Sequence, residues 1–180
     1  MGFCFFGGSV FFIYDGFLRY FRGGNCYNNK QHKQRGIKMY KIEKMNIKDY
    51  EKIIDMWKNT DGVGLSGDDD SRKSIKKFLK KNHNTCFVVK YKNKEIIGTI
   101  MAGNDGRRGH IYHLMVKPDH RKNGIGKKLL EKAEKSLQKE GIRKIFLVAF
   151  KENNTGNIFW EATGYKNRED LNYRDKKIMD

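Results

Sequence analysis

A chain of 180 residues can bury one sizeable core and is short for two. A hydrophobic share of 38% and a charged share of 33% fit a globular protein with a highly charged surface, and a single proline, Pro118, excludes long proline-rich linkers. The net charge of +17 suits nucleic acid, a membrane surface or a polyphosphate cofactor, but a lysine-rich solvated surface explains it equally well.

Residues 1–38 differ from the rest. Phe3, Phe5, Phe6, Phe11, Phe12, Phe17 and Phe21 are interleaved with Gly2, Gly7, Gly8 and Gly16. The segment has no basic start, and Asp15 cuts its apolar run, so neither a signal peptide nor a membrane span is expected; a membrane-touching or partner-binding tail is the alternative reading. Residues 22–38 are polar, basic and glycine-containing, which predicts a disordered connection. We expect this aromatic and glycine-rich extension to be disordered or foreign to the native protein. Met39 is the expected natural start of a domain over 39–180.

From there the pattern is regular. Residues 39–44 alternate as a strand, and Tyr50, Ile53, Ile54 and Trp57 fall at helical spacing over 49–58. A glycine-rich loop at 61–67 leads to Asp68, Asp69, Asp70 and Ser71, candidate caps for a helix through Lys81. Strands over 85–92, 95–102 and 110–117 are joined by the turns Lys92-Asn93-Lys94 and Asn104-Asp105-Gly106, an antiparallel meander ended by Pro118. Leu129, Leu130, Ala133 and Leu137 form one face of a helix over 127–140 that stops at Gly141. The apolar run 143–150 predicts a central strand. A short helix over 154–162 and a final strand over 171–178 complete the chain.

The three cysteines, Cys4, Cys26 and Cys86, form no CxxC pair and lack histidines at ligand spacing, so no metal is expected. The pattern suits a reducing compartment, the cytoplasm.

Arg121-Lys122-Asn123-Gly124-Ile125-Gly126 lies between a strand and a helix start. Unpaired N–H groups, a positive helix end and glycines that admit close approach make such a loop a site for pyrophosphate. It is neither a P-loop nor a dinucleotide fingerprint, since Lys128 and Leu129 stand where those motifs need Ser/Thr and Gly. Taken alone, it could also be an ordinary turn.

These residues resemble the R/Q-x-x-G-x-G/A acetyl-CoA loop of the GNAT superfamily of N-acetyltransferases. Leu114-Met115-Val116-Lys117-Pro118 resembles the strand before that loop. Asn153, Gly156, Phe159, Trp160, Gly164 and Tyr165 resemble its last helix and the strand that follows. Gly64-Leu65-Ser66, Asp105-Gly106-Arg107-Arg108-Gly109 and Phe159-Trp160-Glu161 are similar to a bacterial subgroup.

The resemblance covers about residues 40–178. It implies an α/β fold with a twisted mixed sheet of six to seven strands, flanked by about four helices. Two parallel strands, over 110–117 and 143–150, would splay apart around acetyl-CoA. Backbone groups at Leu114, Met115 and Val116 would pair with the pantetheine arm. Arg121 would bind the cofactor, the N–H groups of Lys122, Asn123, Gly124, Ile125, Gly126 and Lys127 would hold the pyrophosphate, and Asn153 would bond the pantetheine region. An amine of a small molecule or protein would approach near Leu65 and Ser66, with Arg107 and Trp160 as further substrate contacts.

Direct attack on the thioester needs a base. His110 and His113 are the candidates. Spaced by three in a strand, they are expected to face opposite sides, and His113 lies nearer the thioester. Each histidine also has a purely structural reading. Trp160 stands where many family members place a proton-donating tyrosine, and an indole N–H is not an acid. Arg107 and Arg108 fit an anionic substrate group or plain hairpin charges. The chain is expected to be a monomer or homodimer, with no nucleic-acid or membrane partner. The alternative functions are a non-catalytic acyl-CoA binder and a nucleic-acid-binding regulatory module, although no nucleic-acid reader motif is present.

Overall fold

The computed structural model describes residues 4–6, 9–14, 17–21 and 40–178. The chain divides into two compact units, Met1–Lys38 and Met39–Asp180. In the first, β1 (Cys4–Phe6), β2 (Ser9–Tyr14) and β3 (Phe17–Phe21) form an antiparallel meander. Phe6 pairs with Ser9 and Tyr14 with Phe17, so Gly7-Gly8 and Asp15-Gly16, dipeptides favoured in two-residue hairpins, separate the strands. Sequence analysis assigned no element here. The disordered connection expected at 22–38, and Met39 itself, lie outside the described residues.

The second unit is built on a five-stranded sheet in the order β4-β5-β6-β7-β8. Its strands are β4 (Tyr40–Lys44), β5 (Phe87–Tyr91), β6 (Glu95–Asn104), β7 (Gly109–Val116) and β8 (Ile145–Leu147). Each neighbouring pair among the first four is antiparallel and β8 runs parallel to β7, so the sheet is mixed. The helices are α1 (Tyr50–Lys58), α2 (Arg72–Lys81), α3 (Ile125–Lys139) and α4 (Asn154–Ala162). The expected α/β class and four helices are present.

Three expectations are corrected. Among the described residues the sheet has five strands, not six or seven. The run 143–150 is not a central strand: only Ile145–Leu147 pairs, and it does so at the sheet edge. Its apolar character comes from Phe146, Val148 and Phe150, which are exposed and line a groove instead of a core. No strand forms over 171–178, where Leu171, Tyr173 and Ile178 are exposed and no neighbouring strand supplies a ladder.

Each sheet face carries its own core. On one, α3 buries Ile125, Leu129, Leu130, Ala133 and Leu137 against Val89, Ile97, Ile100 and Ile111, with Phe159 and Trp160 of α4 at the margin. On the other, Ile53, Met56 and Trp57 of α1 and Ile75 and Leu79 of α2 meet Val88, Ile96, Met101 and Met115. The i, i+3, i+4 spacing of these helical residues supplies the apolar stripe each face needs. Cys86 is fully buried, and burial pushes its thiol up to about 12, the inert core cysteine that its apolar surroundings suggest.

Candidate active site

β7 is the strand around which the site is built. Thr99 pairs with Met115 and Met101 with Tyr112, so the single residue Ile100 faces two residues, His113 and Leu114. This is a β-bulge, and His113 occupies it at φ +45°, a left-handed conformation that histidine enters more readily than most residues.

The bulge overturns the expectation that His110 and His113 face opposite sides. The extra residue shifts the alternation. Ile111 and Leu114 pack toward α3, while His110, Tyr112, His113 and Met115 lie on the side of α1 and α2. Both histidines therefore line one groove of about 1040 Å³.

His113 is tightly held. Its ring stacks on Trp57 with centroids 4.1 Å apart. Its Nε2 donates to Asp70 Oδ1 at 2.7 Å. Its backbone oxygen accepts from Thr99 Oγ1 at 3.0 Å, and Thr99 Oγ1 in turn accepts from Trp57 Nε1 at 3.0 Å. Asp70 is buried, and its other oxygen accepts from the Ser66 N–H at 2.9 Å. Burial pushes the Asp70 carboxyl up, but the His113 hydrogen bond and charge and the Ser66 N–H outweigh it and hold the group below its usual range.

His110 is placed differently. It stacks on Tyr112 at 4.1 Å and meets Phe146 at 4.3 Å, and desolvation lowers its pKa, favouring the neutral ring.

The glycine-rich loop forms one groove wall. Gly62 sits at φ +81°, and a Cβ on Gly64 would lie 2.8 Å from the Phe150 ring, so the backbone passes there too closely for a side chain. Asp70 N–H donates to Ser66 O at 2.9 Å, and Tyr50 Oη donates to Asp70 O at 3.0 Å. Ser71 caps α2 by accepting from Ser74 N–H. Of the expected substrate contacts, Ser66 and Trp160 line the groove. Leu65 is exposed beside it. Arg107 stands on the hairpin turn, where Asp105 Oδ1 accepts from both the Arg107 and Arg108 N–H groups, and it is Arg108 that lines the groove.

Beside the bulge, the β7–β8 ladder ends at Ile111 and Leu147 while β7 continues to Val116. Leu114, Met115 and Val116 thus run past the end of β8 on that side of the sheet. Arg121 Nε donates to Val116 O at 3.0 Å, tying the following loop to the strand. Lys122 and Gly124 adopt φ +62° and +72°, and α3 starts directly after Gly124. Lys128 N–H donates to Gly124 O at 3.1 Å. The N–H groups of Lys122, Asn123, Gly124, Ile125, Gly126 and Lys127 have no acceptor among the described residues. Asn123 Nδ2 donates to the His120 and Arg121 carbonyls, closing the loop on itself. Asn153 lines the groove, and its Oδ1 accepts from Gly156 N–H to cap α4.

In α4, Trp160 lies 5.2 Å from both Phe159 and Tyr165. Tyr165 Oη donates to Glu134 Oε1 at 2.9 Å, and burial together with that carboxylate pushes its pKa up, so it is a packing group. Sequence reasoning missed Trp57, Thr99 and the pairing of Asp70. Asp70 is 43 residues from His113 and stands in a run of three aspartates, so no spacing singles it out. Among the described residues, no cluster of three or more His, Cys, Asp or Glu could hold a metal, and no helix is long and apolar enough to cross a membrane.

A family model described as "Acetyltransferase (GNAT) family" matches residues 50–165. Solved structures share the fold. An N-acetyltransferase PaiA from Thermoplasma acidophilum, in complex with coenzyme A, is 24% identical over 71% of this chain and 89% of its own, with a TM-score of 0.60. A predicted acetyltransferase from Clostridium acetobutylicum, with acetyl-CoA, is 21% identical over 76% and 96%, with a TM-score of 0.59. The aminoglycoside acetyltransferase AAC(6')-Iy, bound to a bisubstrate analogue, is 19% identical over 77% and 98%, with a TM-score of 0.61.

Proposed function

Because the chain belongs to the acetyltransferase (GNAT) family, we propose that it moves an acetyl group from acetyl-CoA to a primary amine of a small molecule or protein by direct attack. The observation that carries this reading is the unpaired row of N–H groups from Lys122 to Lys127 at the start of α3, next to a strand that outruns its parallel neighbour. A diphosphate fits that row, because the orphan donors and the positive helix end both favour an anion. Extended β7 backbone at Leu114, Met115 and Val116 suits an amide-bearing arm laid alongside it.

Acetyl-CoA supplies a thioester whose C–S bond breaks as the amine forms its C–N bond, coenzyme A leaving as the thiolate. The protein must remove a proton from the amine. His113 is the base we favour, because it is anchored in the groove beside Leu114. A backbone N–H near Met115 is suited to the developing oxyanion. No tyrosine occupies α4, and a thiolate with an ordinary thiol pKa of about 8.5 can take its proton from water.

The test is thiol release from acetyl-CoA over a panel of amines and peptides, with thermal melting in millimolar acetyl-CoA beside it. Amine-dependent release and a raised Tm are expected. No release and no shift would overturn the reading.

A further inference from the structure

We propose that Asp70 is a positioning residue that holds His113 with its proton on Nε2, so that Nδ1 is the atom that takes the proton from the acceptor amine. This rests on the acetyltransferase reading above and adds which atom acts and what aims it.

The geometry has three parts. First, Asp70 Oδ1 lies 2.7 Å from His113 Nε2, and both side chains are largely buried, 10% and 14% exposed. An ionised carboxylate only accepts, so Nε2 must donate, which leaves Nδ1 of the neutral ring as an acceptor. Second, Nδ1 has no partner among the described residues, and no buried side-chain nitrogen or oxygen among them is left unpaired. Nδ1 is therefore open to the groove. Third, every other degree of freedom of the ring is fixed. Trp57 stacks on its face, Thr99 holds its backbone oxygen, and the bulge sets its φ at +45°. Residues held in left-handed conformations typically cost about 1–3 kcal/mol. A packing role would not need that conformation, since a histidine in regular strand geometry can pack as well.

Asp70 also has a second contact. Its Oδ2 accepts from Ser66 N–H, on the loop that walls the groove. One carboxylate thus fixes both the base and the wall against which an acceptor lies. When Nδ1 takes the amine proton, the resulting imidazolium faces the Asp70 carboxylate, which stabilises it. The proton count balances: the amine loses one proton to Nδ1, the leaving thiolate gains one from solvent, and the imidazolium returns its proton to solvent before the next turnover.

The other titratable or charged groups around the groove are Asp69, Lys77 and Lys81 on the α2 side, Asp105 and Arg108 on the hairpin, His110 and Tyr112 on β7, and Tyr173. Trp57 and Thr99, which touch His113, carry no charge.

Asp70→Asn is the informative variant. An amide can keep the Ser66 contact with its oxygen and donate its N–H to Nε2, which forces the proton to Nδ1 and disables it as a base. The expected result is a fall in kcat on the order of 10²-fold, with acetyl-CoA affinity unchanged. The acidic limb of the pH–rate profile should move to lower pH, because the imidazolium has lost its countercharge. In a His113→Ala background, Asp70→Asn should cost nothing further. Equal losses at every pH that add to those of His113→Ala would overturn the proposal.

Nitrogen-15 NMR of the wild-type imidazole covers the case in which the variant fails to fold. Protonated Nε2 and bare Nδ1 are expected, and the opposite tautomer would overturn the proposal. If wild-type protein releases no thiol with any amine, the acetyltransferase reading and this one fall together. Normal release by Asp70→Asn would remove this one alone.

Discussion

His110 and His113 are three residues apart and are opposite in kind. His113 is braced by a carboxylate and its Nδ1 meets solvent, while His110 is sandwiched between Tyr112 and Phe146 with only desolvation acting on its pKa. Burial lowers the His110 pKa below 6.5. Between that folded value and 6.5 the unfolded chain binds more protons, so stability falls as pH drops through the window. His110→Phe keeps the ring stack and removes the titration. Its Tm should decline less steeply than that of the wild type between pH 7 and 5, and parallel curves would show that His110 is not desolvated in solution. The residue scale is also where sequence was least informative. Nothing in the letters around His113 announces a positive φ, and Asp70 reads as one of three interchangeable caps until the fold carries it to β7.

Elements were far more legible. The apolar periodicity of α1, α2 and α3 and the turn dipeptides of the β5–β6–β7 meander placed six of the second unit's elements within about two residues. The two misread stretches differ in cause. In 143–150 the apolar letters mix half-buried Ile145 and Leu147 with exposed Phe146, Val148 and Phe150, so the run is not the signature of a strand buried on both faces. In 171–178 only Leu171, Tyr173 and Ile178 stand out as large apolar residues beside Met179, and all three are exposed, with no core for a strand to face. Gly7-Gly8 and Asp15-Gly16 carry hairpin signals, set among phenylalanines whose spacing points to no element by itself.

The loop before α3 offers a clean test at this scale. A Cβ at Gly126 meets the Phe159 ring at 3.4 Å and Val116 Cγ2 at 3.8 Å, both ordinary contacts, and no positive φ constrains it. Gly126→Val should therefore change stability by no more than about 1 kcal/mol, yet lower acetyl-CoA affinity at least about tenfold, or 1.4 kcal/mol, by calorimetry. Gly124→Val is less clean, because φ +72° strains any side chain there whatever the ligand does. Unchanged affinity in the Gly126 variant would return the loop to a plain turn.

At the scale of the whole molecule, both sheet faces of the second unit are covered by its own helices, and β4 finds its partner in β5. A chain beginning at Met39 should therefore fold alone and bind acetyl-CoA with the affinity of the full chain. Calorimetry on the two proteins checks this, and loss of cooperative melting in the shorter one would place part of its core in residues 1–38. The charge of +17 should favour an anionic ligand such as acetyl-CoA through its long-range field, so measured affinity should weaken as salt rises.

The bulge in β7 has one further consequence. His113 is supernumerary in the ladder: without it, Leu114 alone would stand opposite Ile100, and Tyr112 and Met115 would keep their present partners, Met101 and Thr99. A one-codon deletion of His113 should therefore yield a straighter strand with every remaining side chain on its original face. Such a protein should melt cooperatively and still be stabilised by acetyl-CoA, while releasing almost no thiol to amines. That outcome would show that the register does not depend on this residue, and would favour chemistry over architecture as the reason for its place in the strand.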